Sequence, residues 1–259
     1  MRVAALYDIH GNLPALEAVL EDVRSAGIDR LVVGGDVVPG PMPNETLALL
    51  LDLEIPVRFI HGNGERAVLA QIAASDSGTV TYWGTVSGEP LPEPLQDLLR
   101  WTSRQLRPEY AQLFHGWPAT LEIDLPATGR VLFCHGTPRS ETDTFSRLTP
   151  EDRLLPVFRG LDGRLVVCGH THMPFDRMVG TTRVVNAGSV GMPFGQPGAD
   201  WLLLSHDVEL RHTSYDLGSA ADRIRATGYP QAEEFARQNV LEPPSEEEMA
   251  RAFAHVSFR

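Results

Sequence analysis

Asp8-Ile9-His10, Gly35-Asp36, Gly62-Asn63, His135-Gly136 and Gly169-His170-Thr171-His172 follow one another along the chain, each closely behind an apolar run. Their side chains are carboxylates, imidazoles and one amide. Such nitrogen and oxygen donors suit Mn²⁺, Fe²⁺ or Zn²⁺, whereas Ca²⁺ and Mg²⁺ prefer all-oxygen shells. A lone zinc needs only three or four ligands. Asp8, His10, Asp36, Asn63, His135, His170 and His172 are too many for one ion and fit two ions sharing a bridge. Any one string could be ordinary turn or cap chemistry. The set together is what points to a metal site.

The elements that must position these residues read as strands with ligands at their carboxyl ends, the rim where open α/β sheets bind. Val3 to Tyr7 precedes Asp8, Leu31 to Val33 precedes Asp36, and Val57 to Ile60 precedes Asn63. Val131 to Phe133 precedes His135, and Leu165 to Val167 precedes His170. Residues two apart in extended chain point the same way, so Asp8 with His10 and His170 with His172 are expected to share a cavity. Gly11, Gly35, Gly62, Gly136 and Gly169 adjoin the ligands, where tight turns bring backbone close to an ion.

Between the first strands, Leu13, Leu16, Val19, Leu20 and Val23 fall at helical spacing, with Pro14 in a first turn and Gly27 at the stop. Asn44 is expected to cap a second helix, and Glu65 to Ala74 to form a third. Residues 75–117 change character: a Gly/Ser/Thr-rich stretch, then prolines, then apolar residues at helical spacing. This reads as a helical insertion that packs beside the site, as a specificity wall or as a plain surface excursion. Ala127-Thr128-Gly129 suits a hairpin turn, and Thr149-Pro150 a capped helix start. Arg177 to Val179, Arg183 to Val185, Trp201 to Ser205 and Val208 to Tyr215 complete the strands. Residues 1–216 therefore form one domain, with 217–259 a helical extension that packs structurally on it.

A 42% apolar and 22% charged chain of 259 residues is ordinary for a globular protein and excludes general disorder. The net charge of −12 disfavours nucleic acid and anionic membranes as partners unless a local cationic site compensates. The N-terminal apolar stretch is too short for a signal peptide, and no run nears the roughly 20 residues of a membrane span. A cytoplasmic location is the expectation. Cys134 and Cys168 read as buried, reduced core thiols. His115, His206, His212 and His255 lie outside the ligand set. Oligomeric state is open, with the apolar residues of Val190 to Phe194 a possible subunit contact.

The five strings resemble, in order and spacing, the signature of the calcineurin-like metallophosphoesterase superfamily, particularly its small bacterial and archaeal phosphodiesterase-like members. The resemblance is anchored from Asp8 to His172, and Asn186-Ala187-Gly188-Ser189-Val190-Gly191 is similar to a segment that follows the double histidine there. It implies a four-layer αββα sandwich of two mixed β-sheets flanked by helices. It also implies one metal on Asp8, His10, Asp36 and His172 and another on Asp36, Asn63, His135 and His170, with Asp36 bridging. Two divalent ions, Mn foremost and Fe, Zn or Ni as alternatives, would activate a bridging hydroxide held by Asp36 and clamp the phosphoryl oxygens. Two carboxylates against two dications leave the site cationic, so an acidic chain can still attract a small phosphate ester.

One position departs. Many members follow the asparagine with a His that assists the leaving group, but here Asn63 is followed by Gly64, then Glu65 and Arg66. General acid catalysis is worth about 10² to 10⁴ in rate, so esters with poor leaving groups should suffer most. His61 and Arg66 are the candidates to assist. Asn63, Arg66, Asn12, Thr137 and Arg139 are the candidates to touch substrate, with a turn-stabilising role open for Asn12. The expected activity is phosphodiester hydrolysis, extending to activated monoesters. A phosphomonoesterase of nucleotide or protein phosphates and a weakly catalytic phosphate-ligand sensor are the alternatives.

Overall fold

A computed structural model describes residues 1–74, 80 and 91–253. The Gly/Ser/Thr-rich stretch and His255 lie largely or wholly outside the described residues. Strands β1 (Val3–Leu6), β2 (Arg30–Val33) and β3 (Val57–Phe59) run parallel and are joined by α1 (Leu13–Ala26) and α2 (Pro43–Leu51). After β3 come α3 (Asn63–Ala74), α4 (Glu93–Gln105) and α5 (Pro108–Gly116). A second set follows: β4 (Thr120–Leu125), β5 (Gly129–Cys134), a one-turn α6 (Glu151–Leu154), β6 (Leu165–Cys168), β7 (Phe175–Val179) and β8 (Thr182–Asn186). Then β9 (Ala199–Leu204) and β10 (Val208–Thr213) return to the first sheet, where β9 lies antiparallel beside β1. The result is two mixed five-stranded sheets, ordered β10-β9-β1-β2-β3 and β4-β5-β6-β8-β7.

Period-two alternation explains how the sheets stack. Val3, Ala5 and Tyr7 face one way and pack with Val131, Phe133, Val167 and Val185 of the other sheet. Ala4 and Leu6 face the other way, onto Leu16, Val19 and Leu20 of α1. On the far side of the second sheet, Leu132, Cys134, Val166 and Cys168 are covered by Leu154, Val157 and Phe158. Both thiols are free and buried. Tyr7 crosses between the sheets, and its hydroxyl donates to the carbonyl of Val167 at 3.1 Å.

Several expected caps move for local reasons. Asn12 caps α1 by accepting from the N–H of Ala15, and Gly27 closes it at φ 62°. For α2 the cap is Met42 instead of Asn44, because Pro43 at the first position needs no N–H partner. Asn44 instead donates to the carbonyl of Gln105 and accepts from the N–H of Arg107, pinning the joint between α4 and α5. Helix α3 begins at Asn63, two residues before the expected start, because Glu65 reaches back to the N–H of Gly62 as a capping box does. Thr149 does not cap α6; its hydroxyl accepts from the N–H of Ser146, and Pro150 takes the cap position.

Past β10, α7 (Leu217–Arg225) is capped by Asp216, and α8 (Ala232–Phe235) runs directly into a π-helical turn (Ala236–Leu241) before α9 (Glu246–Phe253). Ala220, Ala221, Ile224, Phe235 and Val240 join the core formed by α1 and α4. Among the described residues no helix is long and apolar enough to cross a membrane.

Gly34, at the end of β2, tests how tightly the sheets are stacked. A Cβ there would sit 2.0 Å from the buried Tyr7 ring. Gly34→Ala should destabilise the fold by about 1–3 kcal/mol or more through overpacking, and Tyr7→Phe by about 1 kcal/mol through its lost hydrogen bond. Urea unfolding of both variants checks the order; a neutral Gly34→Ala would contradict this packing.

Candidate metal centre

The loops leaving β1 and β2 lie against each other, with Asp8 N–H donating to Gly35 O, His10 N–H to Asp36 O and Gly11 N–H to Val37 O. The backbone in these loops is not extended. Asp8, His10, Asp36, His170 and His172 have φ between 49° and 67°, and they are the non-glycine residues with left-handed backbone among the described residues. Asp8 with His10 and His170 with His172 thus reach a common cavity by left-handed turns, not by the strand alternation expected of them. Asp and His tolerate this region better than bulky or branched residues, but it still costs of order 1–3 kcal/mol per residue.

The Asp8 carboxylate is fully buried. Its Oδ2 accepts from the N–H of His170 at 2.8 Å, while Oδ1 has no hydrogen-bond partner. That orphan oxygen lies 3.3 Å from His172 Nε2, 3.7 Å from His135 Nε2 and 3.9 Å from His10 Nε2. Asp36 Oδ1 accepts from the N–H of Gly64 at 2.6 Å and lies 3.5 Å from His135 Nε2. Its Oδ2 is 3.8 Å from His10 Nε2, so this carboxylate spans two imidazoles. His10 Nδ1 faces Pro39 O, His135 Nδ1 faces Gly34 O and His172 Nδ1 faces Met192 O. A carbonyl only accepts, so each Nδ1 donates and each Nε2 is left for the interior. His170 is turned the other way, with Nε2 at 3.2 Å from the Thr144 hydroxyl and Nδ1 left over. Asn63 Oδ1 completes the group, 3.1 Å from His135 Nε2.

Electrostatics follow from burial and crowding. Burial alone would raise both carboxyls, but His172 and His135 hold Asp8 down, and His135 with His10 holds Asp36 well below the carboxylate range. Burial pushes His10 down. Burial and the neighbouring His135 push His170 to about 4. Burial opposes a charge on His135, yet Asp36 and Asp8 outweigh it and raise that imidazole to about 10. Asp8, His10 and His172 form one tight donor cluster and Asp8, Asp36 and His135 another. An unpartnered buried oxygen, imidazole nitrogens facing one another at 3.4 Å and a mixed nitrogen and oxygen set all fit a pair of divalent cations. The resemblance makes Asp36 the bridge; in the structure Asp8 is the residue common to both tight clusters, and Asp36 belongs to one.

The expected substrate contacts fare differently. Asn63 lines the cavity that opens on the cluster. Asn12 caps α1 and donates to Gly191 O. Thr137 donates to Asp143 at 2.6 Å, and Arg139 lies 3.9 Å from the same carboxylate. Arg66 points off α3 to pair with Glu141 at 2.6 Å. His61 is half-buried, with its backbone N–H on Pro118 O, and burial pushes its imidazole down. None of these last five is among the described residues lining the cavity. Within the apolar Val190 to Phe194 stretch, Met192 and Phe194 line that cavity and Val190 is in the core. His115 and His206 are exposed, and His212 pairs with Asp200.

Sequence reasoning missed Glu65. Its fully buried carboxylate accepts from the backbone N–H groups of Asp36, Val37, Val38 and Gly62. Burial and Asp36 raise this carboxyl to about 7 against those N–H donors. The available signal was its place three residues after Gly62 at a helix start, where a capping-box acid belongs. Leu95 and Leu98 of α4, within the stretch read as an insertion beside the site, line the cavity, whereas the share of its lining contributed by the C-terminal helices was missed.

A family model described as the calcineurin-like phosphoesterase superfamily domain matches residues 1–209. The chain belongs to this superfamily. An uncharacterized protein of Methanocaldococcus jannaschii, MJ0912, is 26% identical to this phosphoesterase over 249 residues, covering 88% of this chain and 94% of the relative. The fold is shared with a hypothetical protein of Pyrococcus horikoshii OT3, PH1004, at TM-score 0.76, 22% identity and 94% and 99% coverage of the two chains. A metallophosphoesterase from Sphaerobacter thermophilus superposes at TM-score 0.70 with 24% identity, covering 93% of this chain and all of its own.

Two outcomes are expected at this centre. Glu65→Gln replaces a carboxylate by an amide that turns donors toward backbone N–H groups, and should cost about 2–4 kcal/mol and weaken Mn²⁺ binding about 10- to 100-fold. Denaturant unfolding and metal titration read both, and wild-type values in the variant would refute the role. His135 must lose its proton to become a ligand, so Mn²⁺ affinity should rise with pH through the neutral range with proton release. Calorimetry in buffers of different ionisation heat measures that release.

Proposed function

We propose that this phosphoesterase hydrolyses phosphodiesters with two divalent transition-metal ions, Mn²⁺ foremost, and that Fe²⁺, Zn²⁺ or Ni²⁺ can take the same positions. Asp8, His10, Asp36 and His172 would hold one ion, and Asp36, Asn63, His135 and His170 the other. The observation that carries this reading is the left-handed backbone, which falls on five of these donors. Strain of that size at five positions is a large share of an ordinary domain stability of about 5–15 kcal/mol, and it persists where function requires it. When bound, the two ions supply an activated water near neutral pH and stabilise charge on the phosphoryl oxygens.

The chain's own residues argue for a diester with a good leaving group. Gly64 brings no acid, and the surroundings leave no room for one: a Cβ there would lie 2.1 Å from the carbonyl oxygen of Val38 and 2.9 Å from Asp36 Oδ1. Supplying the absent histidine by Gly64→His would therefore displace the loop that holds Asp36. Nor do the described residues lining the cavity include Arg or Lys. A dianionic monoester would find no side-chain cation beyond the metals, whereas a monoanionic diester needs none. Free, buried Cys134 and Cys168 suit a reducing compartment and support action in the cytoplasm.

The test is turnover of bis-p-nitrophenyl phosphate against p-nitrophenyl phosphate by the Mn²⁺-loaded protein. The diester is expected to be favoured by about tenfold or more in kcat/KM, with chelation, Asp36→Asn or His135→Ala each removing at least about 10²-fold. Faster monoester turnover would make the protein a phosphomonoesterase. Stoichiometric metal with no turnover of either ester would reduce it to a phosphate-ligand sensor.

A further inference from the structure

The cavity above the donor cluster measures about 490 Å³, within the roughly 300–1,000 Å³ range of small-molecule sites. Part of its lining is the donor set, and another part comes from α8 and the π-helical turn. Glu234, Phe235, Gln238 and Asn239 all line it, at positions i, i+1, i+4 and i+5 of one continuous helical segment. Single π turns inside helices are frequent at functional sites, and this one brings two neighbouring amides to the same wall.

This wall is fixed from behind. Tyr229 is held edge-on by Trp101 at 5.3 Å and by Phe235 at 6.0 Å. Gln231 donates to Pro94 O at 2.8 Å, tying the C-terminal segment to the start of α4. Arg225 grips Glu233 through two hydrogen bonds, at 2.7 and 3.0 Å, and joins α7 to α8. Beside the donor cluster, Phe194 stacks on His172 with ring centroids 5.3 Å apart and planes 24° apart. The cavity thus offers aromatic and apolar faces, half-buried amides at Gln238 and Asn239, and an exposed carboxylate at Glu234.

We infer that Gln238 and Asn239 select esters with one phosphoryl group and a planar, uncharged organic arm rich in hydrogen-bonding groups, the chemistry of a nucleobase. The inference rests on the phosphoesterase reading and adds the identity of the arm. Base stacking on aromatic side chains is worth about 1–3 kcal/mol, and side-chain amides read the polar edges of bases. A purely aliphatic arm would leave the amides without partners, at the cost of desolvating them. A further phosphate in the arm would meet Glu234 with no Arg or Lys among the described lining residues.

The experiment uses the full, Mn²⁺-loaded chain and two diesters with the same leaving group, thymidine 5′-monophosphate p-nitrophenyl ester and ethyl p-nitrophenyl phosphate, whose retained arm is aliphatic and uncharged. The chemistry at phosphorus is then shared and only the retained arm differs. Wild type is expected to favour the thymidine ester by about tenfold or more in kcat/KM, and Gln238→Ala/Asn239→Ala to collapse that ratio chiefly through KM. In parallel, calorimetry should show AMP binding about tenfold more tightly than inorganic phosphate and more tightly than ATP. Glu234→Lys, at an exposed position, should narrow the gap between AMP and ATP. Cleavage of both esters with a ratio near one, unmoved by the double variant, overturns the inference and leaves the hydrolase reading standing. Cleavage of neither, together with no turnover of bis-p-nitrophenyl phosphate, defeats the phosphodiesterase reading, and the AMP titration then decides recognition alone: selective binding lost in the double variant supports it, and binding no tighter than phosphate overturns it.

Discussion

Four backbone N–H groups, from the loop after β2 and from the end of β3, converge on the buried carboxylate of Glu65. Those loops carry Asp36 and Asn63, and the N–H of Gly64 donates in turn to Asp36. The interaction fixes backbone that would otherwise relax out of a left-handed conformation. It also explains why the position beside Asn63 is a glycine: the loop clamped by Glu65 brings Val38 O so near that a side chain has no space. The missing histidine and the buried acid are two consequences of one loop packing.

From that clamp outward, the centre is assembled by pairing chain segments that no local interaction would bring together. Asp8 Oδ2 takes the N–H of His170, 162 residues away, and Ser189 donates to the carbonyl of Asp8. Asn186 donates to Gly169 O and to the Thr171 hydroxyl, steadying the double-histidine loop. Both sheets thus contribute to one rim, and Tyr7, bridging them, keeps the two halves in register. A largely buried floor with preset imidazole orientations spends little reorganisation on binding a cation, which is the physical meaning of preorganisation here.

The substrate side is built on a different logic. The donor set and α4 both fall inside residues 1–209, the span matched by the superfamily, whereas Tyr229, Glu234, Phe235, Gln238 and Asn239 of the cavity lining come from the segment after β10, beyond that span. Ala220, Ile224, Phe235 and Val240 of this C-terminal segment lie in the core, and the same segment lines the cavity. A shared catalytic floor with a separately variable wall is how one fold serves many esters.

Much of the floor was legible in the sequence. Donor type, the loops after apolar runs and helix signals at Pro14 and Gly27 depend on residues near one another in the chain, where sterics and capping act. The sequence also carried the superfamily signature from Asp8 to His172 and the gap at Gly64. Tertiary structure decided the rest. Arg66, Thr137 and Arg139 looked available beside the ligands, but Glu141 and Asp143 engage them once the loops fold. Asn44 and Thr149 had the chemistry of caps and were drawn to longer-range or neighbouring partners. Phe235, Gln238 and Asn239 carried no local signal, because a cavity wall exists only when distant segments dock. Short-range geometry therefore determined which residues could hold metals, and long-range packing alone decided what they face.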